Sequence, residues 1–278
     1  MSTANQTEPV IRKGEPFSDE KVESLLEDFY RDGYVYIPGV LEQDEIQVLK
    51  AGIDRVIDDP KMFDTHNRYS EFVGVRLFET DRIFRDMLVR EPIIGLAEAV
   101  LGETCHLMAQ NVVRNQPGQA ISNFHVDKDQ DCGVEFPCPP DMPRHDPRYK
   151  LPVFRLGVQI MLTDVDGDEH GPTQFVPASH YSGRDPNDKD HPTFEGRGPV
   201  SVHCKAGDIY LHNGQCWHRG APNTSDRTRY LLQQAYCQRW VAQRFYPFLN
   251  YRMPDHVLEG ADERLLRVLG KHPKGPYG

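Results

Sequence analysis

Apolar residues recur at helical spacing in three stretches of the first hundred residues. The first stretch begins after Ser18 and ends at Gly33, and the third is bounded by Pro92 and Gly102. Because proline is favoured at the start of a helix and glycine just after its end, these boundaries support the prediction of three helices. The apolar faces consist of Val22, Leu25, Leu26 and Phe29; of Ile46, Leu49, Ile53, Val56 and Ile57; and of Ile93, Leu96, Ala97, Val100 and Leu101.

After Gly102 the pattern changes to short β-prone runs that are separated by clusters of Gly, Pro, Asn and Asp. Many short strands with turn residues between them are typical of an antiparallel barrel or jelly roll. Together with the preceding helices, this pattern predicts an α+β fold in which helices pack against an antiparallel double sheet. The runs are HLMAQNVVRN, FRLGVQIMLTD, TQFVPAS, PVSVHC, GDIYLHN and RYLLQQAYCQRW.

The helical part and the β-prone part of the chain are expected to belong to one domain. We see no linker between the helical and the β-prone parts, so we expect a single domain over residues 1–278. Within it, residues 1–16 are predicted to be a loose leader because they are polar and lack periodicity. We expect a helix-rich support over residues 17–102, the jelly-roll core over residues 103–240 and a C-terminal extension over residues 241–278.

Charge and composition exclude several classes of function. The chain has 32 Lys and Arg against 42 Asp and Glu, and its formal charge of −10 disfavours binding to nucleic acid. No apolar run reaches the ~18 residues that a membrane helix needs, and the N-terminus lacks the features of a secretory signal. The six cysteines contain no C-x-x-C pair that would indicate a zinc ribbon or a redox motif. The sequence therefore predicts a cytoplasmic protein with no membrane or nucleic-acid partner.

The run FHVDKDQDC contains two side chains that are good metal ligands, His125 and Asp127. On an extended strand, side chains two residues apart point to the same face, so both can reach one ion. By itself such a pair is common on protein surfaces. Its meaning depends on which other ligand the chain can bring to the same place.

The run GDIYLHNGQCWHRGAPNTSDRTRY supplies a candidate for the third ligand. His218 lies in a β-prone context, and two histidines with one carboxylate form the facial triad that leaves three positions open on iron(II). Arg229 follows eleven residues later and is a candidate to bind the far carboxylate of 2-oxoglutarate, because a guanidinium binds a carboxylate through two hydrogen bonds. Arg227 would face the same side of a strand, and we prefer Arg229 for its spacing from His218.

These motifs resemble those of the phytanoyl-CoA dioxygenase family of iron(II)/2-oxoglutarate-dependent oxygenases. The resemblance extends from about Gly33 to Trp240 and rests on DGYVYIPGVL, HVD, DVDGDEHGPTQFVPASH and WHRGAPNTSDRTR, in the expected order. It implies a double-stranded β-helix, which is a cupin-like jelly roll, with N-terminal helices that buttress one sheet. It also implies that the chain is an oxidoreductase that uses iron(II), 2-oxoglutarate and O₂.

The resemblance assigns roles to individual residues. It implies that His125, Asp127 and His218 bind the iron and that Arg229 binds the 5-carboxylate of 2-oxoglutarate. Gln110 lies where the family often has an amide near the cosubstrate. The expected reaction is hydroxylation of a small metabolite with release of succinate and carbon dioxide, although desaturation, ring closure or epimerisation can begin in the same way. Halogenating relatives have a small residue in place of the carboxylate, so Asp127 argues against halogenation.

Two alternatives stay open at this point. A cupin-like metalloenzyme that does not use 2-oxoglutarate would need no residue with the role of Arg229. A non-catalytic relative could retain the barrel and the metal ligands without turnover. Iron-dependent conversion of 2-oxoglutarate to succinate distinguishes the oxygenase from both.

Two long loops, residues 128–150 and 181–199, are candidates to cover the site. The first leaves directly from the HVD motif and contains Arg144 and Arg148, which could attract an anionic or zwitterionic substrate. The same loops also contain many acids that could neutralise these cations. Trp217, next to the distal histidine, is a further candidate for substrate contact, although its type favours a position in the barrel core.

Overall fold

The structure of the chain is a computed structural model. It describes residues 11–61, 68–70, 72–119, 123–127, 148, 150–245 and 251–274. Within these ranges, no helix is both long and apolar enough to cross a membrane.

The larger of two antiparallel sheets has seven strands, in the order β1-β8-β5-β10-β4-β3-β2. Its centre is formed by β10, which pairs with β4 on one side and with β5 on the other. The smaller sheet has the order β7-β6-β9. The strands are β1 (Tyr34–Ile37), β2 (Arg68–Ser70), β3 (Val73–Val75), β4 (His106–Asn115), β5 (Arg155–Met161), β6 (Thr173–Phe175), β7 (Val200–Val202), β8 (Ile209–Asn213), β9 (His218–Gly220) and β10 (Arg229–Cys237).

The helices begin and end where local sequence signals predict. The Ser18 side chain accepts a hydrogen bond from the Lys21 amide at the start of α1, and Gly33 ends this helix with a φ of 83°, a value that favours glycine. Pro92 and Gly102 flank α4. The helices are α1 (Asp19–Asp32), α2 (Gln43–Asp58), α3 (Arg82–Asp86), α4 (Ile93–Leu101), α5 (Asp255–Leu258) and α6 (Glu263–Val268).

The main core lies between the helices and one face of the large sheet. Leu49 and Ile53 of α2 and Ile93 of α4 are fully buried in one cluster with Leu156 and Leu232 of the sheet. This arrangement confirms the predicted α+β class and the jelly-roll core with buttressing helices. Because the other face of the large sheet turns toward the small sheet, a second space is left between the two sheets.

Residues 11–16, the described part of the predicted loose leader, contact the rest of the fold. Residues 11–16 are described, and within them Ile11 is buried while Arg12 pairs with Asp44 at 2.7 Å. The amide of Arg12 also donates to the Glu45 carboxylate at 3.0 Å, so this segment is bound to α2. The prediction missed these contacts because they depend on a partner more than thirty residues away. The division into domains otherwise stays a prediction.

Candidate metal and cosubstrate site

The structure brings His125, Asp127 and His218 together at the open edge of the small sheet. The backbones of His125 and His218 exchange two hydrogen bonds of 3.0 Å, which pair this segment with β9. The Asp127 amide donates to the Gly214 carbonyl at 2.8 Å. One potential ligand atom from each of the three side chains lies within 4.8 Å of the other two. Two histidines and a carboxylate, the donor set of an iron(II) facial triad, therefore converge on one point.

Each of the two histidines is oriented by a backbone carbonyl. The Nδ1 atom of His125 lies 2.8 Å from the Asn123 carbonyl, and that of His218 lies 2.8 Å from the Cys216 carbonyl. A carbonyl can only accept, so Nδ1 carries the proton and Nε2 keeps its lone pair for a metal. Burial lowers the pKa of His125, and it lowers the pKa of His218 well below the ordinary value. Both effects favour the neutral imidazole that metal binding requires.

Asp127 is positioned by two residues that the sequence did not indicate. Arg155, the first residue of β5, donates from Nη1 to Oδ2 of Asp127. His212 of β8 lies with its Nε2 3.3 Å from the same oxygen, and its ring is buried. Gly157 makes room for that ring, since a Cβ at this position would lie 2.0 Å from an atom of the imidazole. Burial lowers the pKa of His212 well below its ordinary value, so the ring is a neutral donor.

Arg229 lies in the same cavity and is only 3% exposed. Its Nη2 donates to the Thr173 hydroxyl at 3.2 Å, and the Tyr210 hydroxyl lies 2.5 Å from the same oxygen. Within the described part of the chain, its Nε and Nη1 are buried without a hydrogen-bond partner. Buried guanidinium nitrogens are costly unless they are paired, so this position fits a ligand with a carboxylate. Thr173 and Tyr210 were not predicted from the sequence.

Arg227 does not share this environment. It lies before the start of β10, its side chain is 51% exposed, and it pairs with Asp166 at 3.0 Å. The expectation that Arg227 and Arg229 face the same side was wrong because no strand runs through both positions. Of the two arginines, Arg229 is the one that faces the metal ligands.

The cavity between the two sheets has a volume of about 220 Å³. It is lined by all three candidate metal ligands, by alternate residues of β4 and β5 and by residues of β10 that include Arg229. The predicted role of Gln110 is wrong, because this side chain faces the helices. Its amide nitrogen donates to the Phe84 carbonyl and its oxygen accepts from the Phe78 amide, each at 2.8 Å. Asn111, one position further along β4, lines the cavity instead.

The three candidates for substrate contact have different outcomes. Trp217 is fully buried, packs against Phe124 and Val176 and donates from its indole nitrogen to the Arg184 carbonyl at 2.8 Å. The prediction that it contacts the substrate is therefore wrong, and its place in the core agrees with the alternative. Arg148 is exposed and is not among the residues that line the cavity. Arg144 lies outside the described residues, as does most of the loop 128–150.

Comparisons with curated proteins identify dioxygenases as relatives. The chain is 24% identical over 185 residues to a protein named ectoine dioxygenase from Stutzerimonas stutzeri, covering 64% of this chain and 57% of the relative. It is 28% identical over 204 residues to dioxygenase af480 from Aspergillus fumigatus, covering 70% and 58%. The chain thus spans less than two thirds of the length of these two relatives.

A solved structure and a family profile that match the chain agree with these relatives. The structure of the epimerase SnoN, described as a complex with Fe3+, alpha ketoglutarate and nogalamycin RO, matches with a TM-score of 0.62 and 22% identity, covering 82% of this chain and 87% of that one. This likeness shows a shared fold. A sequence profile described as "Phytanoyl-CoA dioxygenase (PhyH)" matches residues 29–231, which is more than half of the chain. The chain therefore belongs to the phytanoyl-CoA dioxygenase (PhyH) family.

Proposed function

We propose that the protein is an iron(II)- and 2-oxoglutarate-dependent dioxygenase that hydroxylates a small polar metabolite. One observation carries this proposal. The ligand atoms of His125, Asp127 and His218 converge within 4.8 Å in a cavity that also contains the buried, incompletely bonded guanidinium of Arg229. A metal site and an anion site in one small cavity are what this cosubstrate requires, because 2-oxoglutarate chelates the metal at one end and has a carboxylate at the other.

The donor set fits iron(II). His125 and His218 would bind through Nε2, since Nδ1 of each is held by a backbone carbonyl. Asp127 would contribute one carboxylate oxygen while Arg155 and His212 hold its orientation. Three protein ligands leave further positions for the cosubstrate and O₂. When bound, iron(II) and 2-oxoglutarate supply the chemistry that oxidises a substrate C–H bond, with release of succinate and carbon dioxide.

The remaining task of the protein is to bind and orient small molecules. Arg229 would bind the 5-carboxylate of 2-oxoglutarate, with the Thr173 hydroxyl beside it as a further hydrogen-bonding group. Burial strengthens this interaction because water is excluded. The polar cavity lining, which includes Asn111, Gln159 and Gln233, supports a small polar substrate over a long apolar chain.

Uncoupled turnover tests the proposal without knowledge of the substrate. Purified protein is incubated with 2-oxoglutarate, O₂ and iron(II), and succinate is measured with and without the metal. We expect iron-dependent succinate from the wild type and none from Asp127→Ala, because removal of a ligand destroys the metal site. Glu23→Ala removes an exposed carboxylate of α1 and is expected to behave as wild type.

Two results would contradict the proposal. Metal binding without any consumption of 2-oxoglutarate would favour a cupin-like enzyme with another reaction or a non-catalytic relative. Full succinate formation by Asp127→Ala would show that the metal is held elsewhere. A cytoplasmic location and the absence of membrane and nucleic-acid partners stay predictions from composition.

A further inference from the structure

Gln159 of β5 presents an unbonded hydrogen-bond acceptor to the cavity. The residue lines the space between the two sheets and is only 8% exposed. Within the described part of the chain, its Oε1 atom is buried and has no hydrogen-bond partner. Gln110, on the other face of the same sheet, has both ends of its amide bonded to backbone groups. Since a buried acceptor without a donor is costly, Oε1 of Gln159 is a place where a ligand can supply the missing hydrogen.

Two further amides lie beside Gln159 on the wall of the cavity. In the register of the large sheet, Gln233 of β10 is opposite Gln159, and Asn111 of β4 is opposite Gln233. Residues directly opposite each other face the same side of a sheet, and all three of these line the cavity. Adjacent strands lie about 4.8 Å apart, so the three residues form a row roughly 10 Å long. We call them the amide row.

The neighbouring row of the sheet leaves space between the amide row and the metal ligands. Two residues further along the three strands, this row consists of Ala109, Ala235 and Gly157, none of which has a side chain larger than a methyl group. Gly157 is opposite His212, whose Nε2 lies 3.3 Å from Oδ2 of Asp127. A molecule that binds to the amide row therefore has room to extend toward the metal ligands.

The proposed cofactors cannot supply a hydrogen to Oε1 of Gln159. At neutral pH the two carboxylates and the keto group of 2-oxoglutarate accept hydrogen bonds and donate none, and iron(II) and O₂ carry no hydrogen. Water can occupy the position in the free protein, but a ligand that displaces it must reproduce its hydrogen bond or lose affinity. Of the molecules that the proposed reaction brings into the cavity, the substrate is the one that can provide the donor.

We propose that Gln159 determines substrate specificity by accepting a hydrogen bond from a hydroxyl or N–H group of the substrate. Each amide of the row can both donate and accept, so the row fits a molecule in which such groups recur at short intervals, as in a polyol or an amide. This inference rests on the proposed function and specifies the substrate class of the same site.

Binding of matched probes to the protein loaded with iron(II) and 2-oxoglutarate, without O₂, tests this inference. Glycerol is compared with its trimethyl ether, and acetamide with N,N-dimethylacetamide, because methylation removes the donors and keeps the oxygen acceptors. Dissociation constants are measured by ligand-observed NMR, and the visible charge-transfer absorption of the iron–2-oxoglutarate complex is recorded in the same samples. We expect a donor-bearing probe to bind roughly fivefold to a hundredfold more tightly than its methylated partner, which leaves Oε1 unbonded. The pair with the larger preference distinguishes a hydroxyl from an N–H group.

Three variants connect this preference to Gln159. Gln159→Met replaces the amide by an apolar thioether of similar length, and the preference should fall by at least about fivefold. Gln159→Glu keeps an acceptor and should keep the preference, whereas a difference caused only by the size of the probes would persist in Gln159→Met. Gln47→Met removes an exposed amide of α2, outside the cavity between the sheets, and is the matched control.

Urea unfolding of the same proteins separates recognition from a structural role. Gln159→Met should not lower the free energy of unfolding, because Oε1 has no partner in the described chain, whereas Gln110→Met breaks two buried hydrogen bonds and should lower it. Equal destabilisation by both variants would make Gln159 structural and would overturn the inference.

The binding data can also overturn the inference alone. They do so if the wild type shows no preference in either pair, if the preference is unchanged in Gln159→Met, or if it is lost in Gln159→Glu. Failure of the wild type to form the charge-transfer absorption would overturn the proposed function, and this inference with it.

Discussion

Arg90 and Arg229 are equally buried, at 4% and 3% exposure, but their surroundings differ. Arg90 lies on the helical side of the large sheet, where its guanidinium donates to both oxygens of Glu45, at 3.0 and 2.9 Å. It also donates to the carbonyls of Val40 and Glu91. Arg229 lies on the cavity side, and in the described chain the Thr173 hydroxyl is the hydrogen-bond partner of one of its three nitrogens.

The same contrast holds for two amides of the sheet. Gln110 faces the helices and both ends of its amide bond to backbone groups. Gln159 lines the cavity, and within the described residues its Oε1 is buried without a partner. Arg90 and Gln110, on the helical side, are satisfied by groups of the chain itself, so they stabilise the fold. Arg229 and Gln159, on the cavity side, keep unsatisfied atoms, which is the arrangement expected where a ligand completes the hydrogen bonds.

Substitution of Arg90 should produce the largest effect, and it should be an effect on folding. Arg90→Gln leaves the buried Glu45 carboxylate without its main partner, and breaking a buried ion pair costs about 3 to 5 kcal/mol. Urea unfolding of the apo-protein measures this loss. Arg82→Gln, which removes an exposed arginine paired with Asp86, should change stability by less than about 1 kcal/mol. If Arg90→Gln had the same free energy of unfolding as the wild type, the buried pair of Arg90 and Glu45 would not stabilise the fold, and the contrast with Arg229 would fail.

Substitution of Arg229 should affect the binding of 2-oxoglutarate, whereas substitution of Arg90 affects folding. Arg229→Gln removes the proposed partner of the cosubstrate carboxylate, and the dissociation constant of 2-oxoglutarate should rise roughly 30-fold to several thousand-fold, or about 2 to 5 kcal/mol. The measurement is a titration of the metal-loaded protein with 2-oxoglutarate. Arg227→Gln is the control and should bind normally. A reversed result, with the loss in Arg227→Gln, would refute the placement of the cosubstrate.

Much of the fold and of the candidate site was predictable because the signals are local. Gly33 ends α1 and Pro92 begins α4 through conformational preferences that act within a few residues. The alternation of side chains along an extended segment correctly predicted that His125 and Asp127 reach one point. Spacing from His218 also favoured the arginine that the structure places in the cavity.

The missed residues depend on register and on distant strands. Gln110 and Asn111 are neighbours, and only the pairing of β4 decides which of them faces the cavity. Arg155 and His212 reach Asp127 from β5 and β8, which are adjacent in the sheet but far apart in the sequence. The alternation rule could have excluded Trp217, because it directly precedes a histidine that faces the cavity.

His212 provides a sharper test of the cavity side, with a smaller expected effect. His212→Phe keeps a ring of similar size but removes the donor to Asp127, and loss of such a supporting hydrogen bond typically weakens metal binding roughly 10- to 100-fold. Nickel(II) affinity, measured by calorimetry without cosubstrate, reports this change independently of turnover. His256→Phe alters an exposed histidine of α5 and should leave the affinity unchanged. Equal affinities in both variants would mean that Arg155 alone positions the carboxylate.

The buried histidines should also make the apo-protein less stable at low pH. Burial lowers the pKa of His125, His212 and His218 in the folded state, whereas in the unfolded chain each has a pKa near 6.5. Below about pH 6.5 the unfolded chain therefore binds protons that the folded chain does not. The stabilisation is complete above the unfolded pKa and is lost as the pH falls toward the folded pKa.

His212→Phe should reduce this pH dependence by the share of one histidine. A group protonated only in the unfolded state changes the free energy of unfolding by at most about 1.4 kcal/mol per pH unit. We expect the wild type to lose up to that much more stability than His212→Phe between pH 6.5 and 5.5, measured by urea unfolding without metal. His256→Phe, which alters an exposed histidine of α5, is the matched control. Since the comparison is between slopes, a constant packing cost of the phenylalanine cancels. Parallel slopes would mean that folding does not change the protonation of His212. A smaller loss in the wild type than in His212→Phe would show that the ring of His212 is protonated in the folded protein, and hence that its contact with Asp127 is an ion pair.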